Sequence, residues 1–419
     1  MNHLRDTSLA GAKPAAEAGD DYRILVISQF GYSVRKGGAR ARMRSLLLEM
    51  RRLGYQIHFA GIRMGEDEKA STLPYVDEWV GDFAPRDPAA SPAWLSRLWH
   101  RSPAQLANWL MLKVREPFRR WHWVEDRLDQ EFHFHWLEQA QALQARRQYC
   151  RVMLTSVVYS KFFLAFPDPC LRILDTIDLL SYRRRKLRAK GLPAMARSLT
   201  PRDERRGLLR AHRVLALQST EATAFRQLVG DSAQVCTVGH FAKLPPHPPA
   251  RGLIPRVGCL AAPNDLNAQG VRWFVDEVWP RILERLPAAE AWMAGGASTN
   301  LPARPGVKIL GQIPSVDDFY RECPVLVNPV QVGTGLKIKT IESLIHGRPI
   351  VATSPGGEGL DEFHGHGLIT ADSPAAFADA LVRLLSDLPA AHALGLAALP
   401  AAQKYLAENH RVFAEALKI

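Results

Sequence analysis

The sequence predicts an α/β protein built from two doubly wound, Rossmann-like domains, with a helical insertion in the first. Three observations carry this. The chain has 419 residues, enough for two domains. Each half opens with a short apolar, branched run, then a turn-rich loop, then a helix-period pattern. Between the halves lies Pro245-Pro-His-Pro-Pro249, a stiff, extended linker. The apolar fraction of 47% suits a protein with substantial buried cores.

Residues 1–20 are rich in Ala, Gly and charge and lack an apolar centre. They read as a disordered lead-in rather than a signal peptide. The first domain spans 21–244. Arg23-Ile-Leu-Val-Ile-Ser28 is its first buried strand. Gly31 to Gly38 makes a loop, and Ala39 to Leu53 a helix whose stripe is Met43, Leu46, Leu47 and Met50. Gly54 ends that helix, and Gln56–Ala60 is the next strand. No Gly-x-Gly-x-x-Gly occurs here, so no dinucleotide site is assigned.

An insertion at about 92–149 carries six of the ten tryptophans (Trp94, Trp99, Trp109, Trp121, Trp123, Trp136) among many Arg and His. Such a stripe is either core between helices and a sheet, or contact with a membrane interface or lipid-linked acceptor. Strands resume at Arg151–Val158, Leu171–Leu174 and Val214–Leu217. The linker covers 245–254 and the second domain 255–397. It begins with strand Arg256–Ala261, loop Pro263–Asn267 and a helix over 271–286. Strand-and-turn units follow at Ala291–Gly296 and Val307–Ile313. Residues 398–419 form a last helix.

The net charge is +12, and residues 181–210 hold eleven bases against two acids. A nucleic-acid surface has this composition, as does a patch for anionic lipid headgroups or a phosphate-bearing acceptor, or a solvated helix face. Five scattered cysteines without Cys-x-x-Cys spacing suggest neither zinc nor disulfides and fit a reducing cytoplasm. No uninterrupted apolar run is long enough to span a bilayer.

The most informative segment is Asn328 to Leu360. It reads as strand, glycine turn, helix, short strand and second glycine turn. Gly333 and Gly335 let backbone approach an anion, and amides at the start of the next helix face it. Lys337 and Lys339 add positive charge at that end. Glu342, about two turns into the helix, is placed to take two ribose hydroxyls. No Gly-x-x-x-x-Gly-Lys-Ser/Thr is present, which argues against a Walker-type nucleotidase. The alternative is an ordinary βαβ unit with Lys339 and Glu342 as a surface pair.

The segment resembles the donor-site signature of glycosyltransferase family 4, the group 1 glycosyltransferases of GT-B fold. Asn328-Pro329, Glu342, Gly347-Arg-Pro349-Ile-Val-Ala-Thr353 and Gly356-Gly357 match in order. The resemblance implies two domains facing a cleft, with the last helix crossing back to the first. It implies donor contacts at Gly333, Thr334, Gly335, Leu336, Lys337, Lys339 and Glu342, with the base near Gln312 and Ile313. It places Gly37 and Gly38 across the cleft, on the acceptor side.

Three departures follow. Where many members have the first Glu of Glu-x7-Glu, this chain has Thr334. Where some have Asp-x-His-Asp, Asp175-Thr-Ile177-Asp178 stands, so no histidine role transfers; Asp175 and Asp178 remain acceptor-side candidates or a helix cap and first-turn acid. Where the family often carries a basic pair after the first strand of the second domain, 261–271 has no Lys or Arg. Arg272 is the first candidate there, and Lys337 or Lys339 is inferred to substitute.

The expected function is transfer of a sugar from a nucleotide-diphosphate sugar, UDP- or GDP-linked, to a glycan or lipid-linked acceptor. It is expected to be retaining and metal-independent, in bacterial surface polysaccharide or glycolipid synthesis. No metal site is assigned, since Asp317-Asp318 reads as a helix start. Candidates for a catalytic group are Asp178, His240 and Lys337; His58 and His212 read as structural. Expected partners are the nucleotide sugar, the acceptor and an anionic membrane met through 181–210 and 92–149, not nucleic acid. The location expected is cytoplasmic, peripheral to the membrane. The competing readings are a nucleotide-sugar epimerase and a non-catalytic nucleotide-binding relative.

Overall fold

The computed structural model describes residues 22–31, 37–84, 128–129, 132–189, 191, 199–245, 254–333 and 335–419. The lead-in, most of the Trp-rich insertion (92–127, 130–131), linker residues 246–253 and Thr334 lie outside these.

The first sheet comprises β1 (Arg23–Ser28), β2 (Gln56–Ile62), β3 (Glu78–Phe83), β4 (Arg151–Thr155), β5 (Leu171–Asp175), β6 (Arg213–Ala216) and β7 (Gln234–Thr237). Its order is β3-β2-β1-β4-β5-β6-β7, and each neighbouring pair is parallel. Its helices are α1 (Gly37–Arg52), α2 (Glu66–Thr72), α3 (Phe134–Arg147), α4 (Leu180–Ala189), α5 (Pro201–Leu208) and α6 (Ser219–Val229).

The period-2 strand and period-3.6 helix meet as their side-chain directions require. Ile24 and Val26 bury one face of β1 against the Met43, Leu46, Leu47, Met50 stripe of α1. Leu25 and Ile27 face the other core, with Trp136 and Phe162. Trp136 is fully buried and stacks on Phe162 with rings 7° from parallel. This member of the tryptophan set is therefore core. The strand expected over Arg151–Val158 stops at Thr155. Ser156 has φ 70°, and the chain turns into a 3-10 segment over Val157–Ala165.

The second sheet comprises β8 (Arg256–Leu260), β9 (Glu290–Ala294), β10 (Val307–Gly311), β11 (Val325–Asn328), β12 (Ile350–Ala352) and β13 (Leu368–Thr370), in the order β10-β9-β8-β11-β12-β13. Its helices are α7 (Asp265–Trp273), α8 (Trp279–Leu283), α9 (Val316–Glu322), α10 (Ile338–Ile345), α11 (Ser354–Gly357), α12 (Pro374–Ser386), α13 (Leu388–Leu396) and α14 (Leu399–Ala416). The helix expected from Val271 starts earlier, because the Asn264 side chain accepts from the Asn267 amide and caps it at 265. One π-helical turn, Phe274–Val278, joins α7 to α8. Pro280, one residue beyond Trp279 in the next turn, has no amide to donate.

Both sheets reverse strand order once, between β1 and β4 and between β8 and β11. Ligands of doubly wound sheets bind at the carboxyl ends of strands beside such a switch point. The last helix, α14, ties the domains together. Ala398, just before it, and its Ala402 and Leu406 pack with Leu344 and Ile345 of α10. Phe413 and Ala416 of α14, and Leu417 just after it, join the first-domain core beside α1. Asn409 Oδ1 accepts the Gly239 amide (2.8 Å), and Arg151 donates to the Leu417 carbonyl (2.7 Å).

Candidate active site

The switch points face each other. Gly37 and Gly38 open α1, and α1 aims its start at the second domain. A Cβ added at Gly38 would lie 3.5 Å from Ile338 Cδ1, and one at Gly37 4.0 Å from Ala262 Cβ. Asp175 is not in this cleft. It is fully buried at the end of β5, where the Arg42 guanidinium holds it at 2.9 Å. Arg42 also donates to the Gly239 carbonyl. Asp175 therefore serves a buried ion pair rather than an acceptor.

Across the cleft, the Gly333–Lys337 turn leads into α10. Gly335 has φ 76°, a conformation that favours glycine. Lys337 folds back beneath the turn, its Nζ donating to the Gly335 carbonyl at 2.7 Å. That bond turns the carbonyl inward, toward the ammonium. Burial pushes the Lys337 pKa down to about 8, against the pull of Asp178, Glu358 and Glu221. From the first domain, Lys186 reaches over to Glu358 (2.6 Å) and lies 3.5 Å from the Gly333 carbonyl.

Lys339 does not pair with Glu342 on the surface. Its Nζ donates to Asn267 Oδ1 (3.2 Å), in the loop after β8. Burial lowers its pKa. A lysine from α10 thus stands beside the loop where a basic pair is missing from the sequence. Arg272 is exposed on α7. Asn328 and Thr353 are buried braces: Asn328 Nδ2 donates to Thr340 and to the Gly356 carbonyl, and Thr353 caps α11.

Glu342 is the fifth residue of α10, one turn in rather than two, because the helix begins at Ile338. His240 Nε2 lies 3.3 Å from its Oε1, and Tyr320 donates to its Oε2 at 3.2 Å. Burial opposes its charge, but the His240 hydrogen bond and the nearby His240, His346 and Arg44 hold its pKa below the ordinary value. Gln312 and Ile313 follow β10; Ile313 packs against the cluster that holds Tyr320 and Leu344, and Gln312 is exposed.

The first-domain wall contributes Asp178, a candidate from the sequence, and Glu221, which was not assigned there. Asp178 is bridged to Arg183 at 2.7 Å. It does not cap α4, because Glu204 accepts both the Leu180 and Ser181 amides. Ile177 sits at φ 65°, and its carbonyl would lie 3.3 Å from a Cβ at Gly335. Asp178 Oδ1 and Glu221 Oε1 would each lie 3.8 Å from that same atom. Burial, then Asp178, pushes the Glu221 pKa up to about 8. In sequence, Glu221 closes the run Ala216–Glu221, which resembles the family's last amino-terminal segment, and stands at a capping position of a helix; its Oε2 does accept the Leu217 amide.

The other candidates are structural. His58 Nδ1 meets Tyr149 Oη at 2.8 Å, and His212 lies against Arg172 and Asp168. Asp317 is 3.0 Å from His346, and Asp318 pairs with Arg321. In the basic stretch, Arg183 and Lys186 turn into the cleft, and Arg210 is held by Asp129 at 2.7 Å. Part of that charge is therefore committed to folding and to the site.

Residues 254–387 match the family described as Glycosyl transferases group 1. A Klebsiella pneumoniae protein, an uncharacterized 44.6 kDa protein in the cps region, is 26% identical over 144 residues, covering 32% of this chain and 37% of that protein. The match thus spans little more than a third of that relative. Sucrose-phosphate synthase of Thermosynechococcus elongatus superposes with a TM-score of 0.63 at 15% identity, covering 93% of this chain and 96% of that one. HepE of Anabaena, solved with UDP and glucose, gives 0.59 at 14% identity over 94% and 99%. WaaG, a glycosyltransferase involved in lipopolysaccharide biosynthesis, gives 0.54 at 13% identity over 93% and 98%. The chain has the two-domain GT-B fold of these structures, and residues 254–387 of its second domain resemble the group 1 glycosyltransferases.

Proposed function

We propose that the protein moves a sugar from a nucleoside-diphosphate sugar to a glycan or lipid-linked acceptor. The observation that carries this is the facing pair of walls: a lysine-braced glycine turn in a group 1 domain, set against Asp178 and Glu221 of the other domain. The amides of Gly335 and Leu336, the start of α10 and Lys337 meet the diphosphate. Glu342 exchanges its His240 and Tyr320 contacts for ribose hydroxyls, and the base lies beside Gln312 and Ile313. Lys339 adds charge from the β8 side. Thr334, where the family's sugar-contacting Glu would stand, lies outside the described residues.

In the transfer, the bond from the sugar's anomeric carbon to the diphosphate oxygen breaks and a bond to the acceptor oxygen forms. The acceptor proton passes to the departing phosphate, on the same face, which retains configuration. Fixed amides and lysines supply the positive charge, so the step runs without a metal. UDP or GDP is the favoured nucleotide; HepE binds UDP and UDP-glucose. The setting we favour is surface polysaccharide or glycolipid synthesis, on the cytoplasmic face of a membrane met through the exposed cations of α4 and α5. WaaG and the cps-region relative support that setting.

The test is incubation with labelled UDP- and GDP-sugars, with chelator, with and without a bacterial lipid and glycan extract. Label entering the extract with nucleoside diphosphate released supports the reading. An isomerised donor formed without extract would establish the epimerase instead, and neither product would establish the non-catalytic relative.

A further inference from the structure

The cleft contains a pocket of about 220 Å³ whose lining includes Tyr182, Arg185, Gln218, Glu221, Gly335 and Glu358. Three buried side-chain oxygens on this lining have no hydrogen-bond partner: Gln218 Oε1, Glu221 Oε1 and Glu358 Oε2. Two belong to carboxylates already fixed through the other oxygen: Glu221 Oε2 takes the Leu217 amide, and Glu358 Oε1 takes Lys186. The third, Gln218 Oε1, packs on Gly359, where an added Cβ would meet it. Buried acceptors without donors are costly and rare. Three such oxygens, on side chains of one pocket wall, lie just behind its surface, where a small side-chain rotation brings them to a ligand that carries donors.

The surroundings narrow the chemistry. Arg185, Lys186 and Lys337 lie at or beside the pocket, which disfavours a metal ion or an ammonium. The Tyr182 ring is already covered by Arg185 and Lys186, at 4.9 and 4.6 Å. What remains is a neutral group carrying several O–H donors on one face. Gly335 joins the pocket to the turn assigned to the diphosphate. Resting on the glycosyltransferase reading above, we propose that this pocket holds the terminal sugar of the acceptor, with Gln218, Glu221 and Glu358 receiving its hydroxyls and setting acceptor specificity. Glu221, held protonated at neutral pH by burial, offers one donor as well as acceptors, which suits a hydroxyl that both gives and takes a hydrogen bond.

The probes are methyl glycosides of glucose, galactose, mannose and N-acetylglucosamine, followed by saturation-transfer NMR with and without UDP or GDP. The variants are Gln218→Leu and Glu221→Met, which keep side-chain volume and remove the polar end, with Glu358→Gln as a third. Melting at the wild-type temperature shows that each folds. The proposal expects at least one glycoside to bind wild type and each substitution to weaken it about tenfold, the size of one buried hydrogen bond. For Gln218→Leu, nucleotide affinity, measured separately by calorimetry, stays within about twofold, since Gln218 has no place in the nucleotide assignment. No glycoside binding to wild type, or binding indifferent to all three substitutions, overturns the proposal. Absence of nucleotide binding with glycoside binding intact would instead sink the donor assignment and leave this pocket standing.

Discussion

Lys337→Met removes the one cation that braces the glycine turn from within. In the free protein its pKa is about 8, with burial the main cause. A bound diphosphate adds negative charge and pulls that value back toward the ordinary 10.5. Binding therefore takes up a proton in between. The sign is fixed: the protonated lysine holds the anion, so affinity is full below about 8 and falls as pH rises through it. With the bound lysine still charged, the dissociation constant at pH 9 is about tenfold that at pH 7. The substitution itself costs about 1.5–3 kcal/mol, one hydrogen bond to a charged group, or roughly ten- to hundredfold in affinity. Glu221 titrates in the same window and shares charge with Lys337, Asp178, Glu358 and Lys186, so Glu221→Gln is the control. Calorimetry of UDP and GDP in buffers of different ionisation enthalpy counts the protons. Wild type and Glu221→Gln should take up protons near pH 8 and Lys337→Met should not. Equal proton uptake in wild type and Lys337→Met would refute the reasoning.

Two further outcomes concern the scaffold. Arg42→Met strands the fully buried Asp175 carboxylate and should cost about 3–5 kcal/mol, seen as a lower denaturation midpoint; an unchanged midpoint contradicts the ion pair's role. Gly270→Ala places a Cβ 2.5 Å from the Pro329 carbonyl oxygen, at the α7 crossing over the donor strand's end. It should cost about 1–3 kcal/mol by overpacking and weaken nucleotide binding, and a wild-type melting curve would rule this out.

The local structure of the segment proposed to hold the donor was legible in the sequence because it is one continuous run. Strand β11, the glycine turn, α10 with Glu342, β12 and the second glycine turn follow each other within about thirty residues, so spacing alone orders them. The two-domain α/β fold was legible for the same reason, from repeated strand, loop and helix patterns. What stayed hidden depends on distant pairing. Glu221 reads as a helix cap; only folding sets its second oxygen beside Gly335, 114 positions along the chain. Lys186 sits in a basic run that suggests a surface, yet it crosses to Glu358. Asp175 reads as a cleft acid until Arg42 is seen to bury it. The inferred lysine substitution for the missing basic pair has a geometric counterpart in Lys339 against Asn267, a contact that no local pattern specifies.

The central claim is that the turn before α10 and Glu342 hold a nucleoside diphosphate. Calorimetric titration of UDP, GDP, ADP and CMP into wild type and Glu342→Ala, with and without magnesium, tests it most directly. Tight, magnesium-independent binding of one nucleoside diphosphate is expected. Glu342→Ala should weaken it at least tenfold, from about 1.5–3 kcal/mol per lost carboxylate hydrogen bond to ribose. No binding by any nucleotide, or binding indifferent to Glu342, would contradict it.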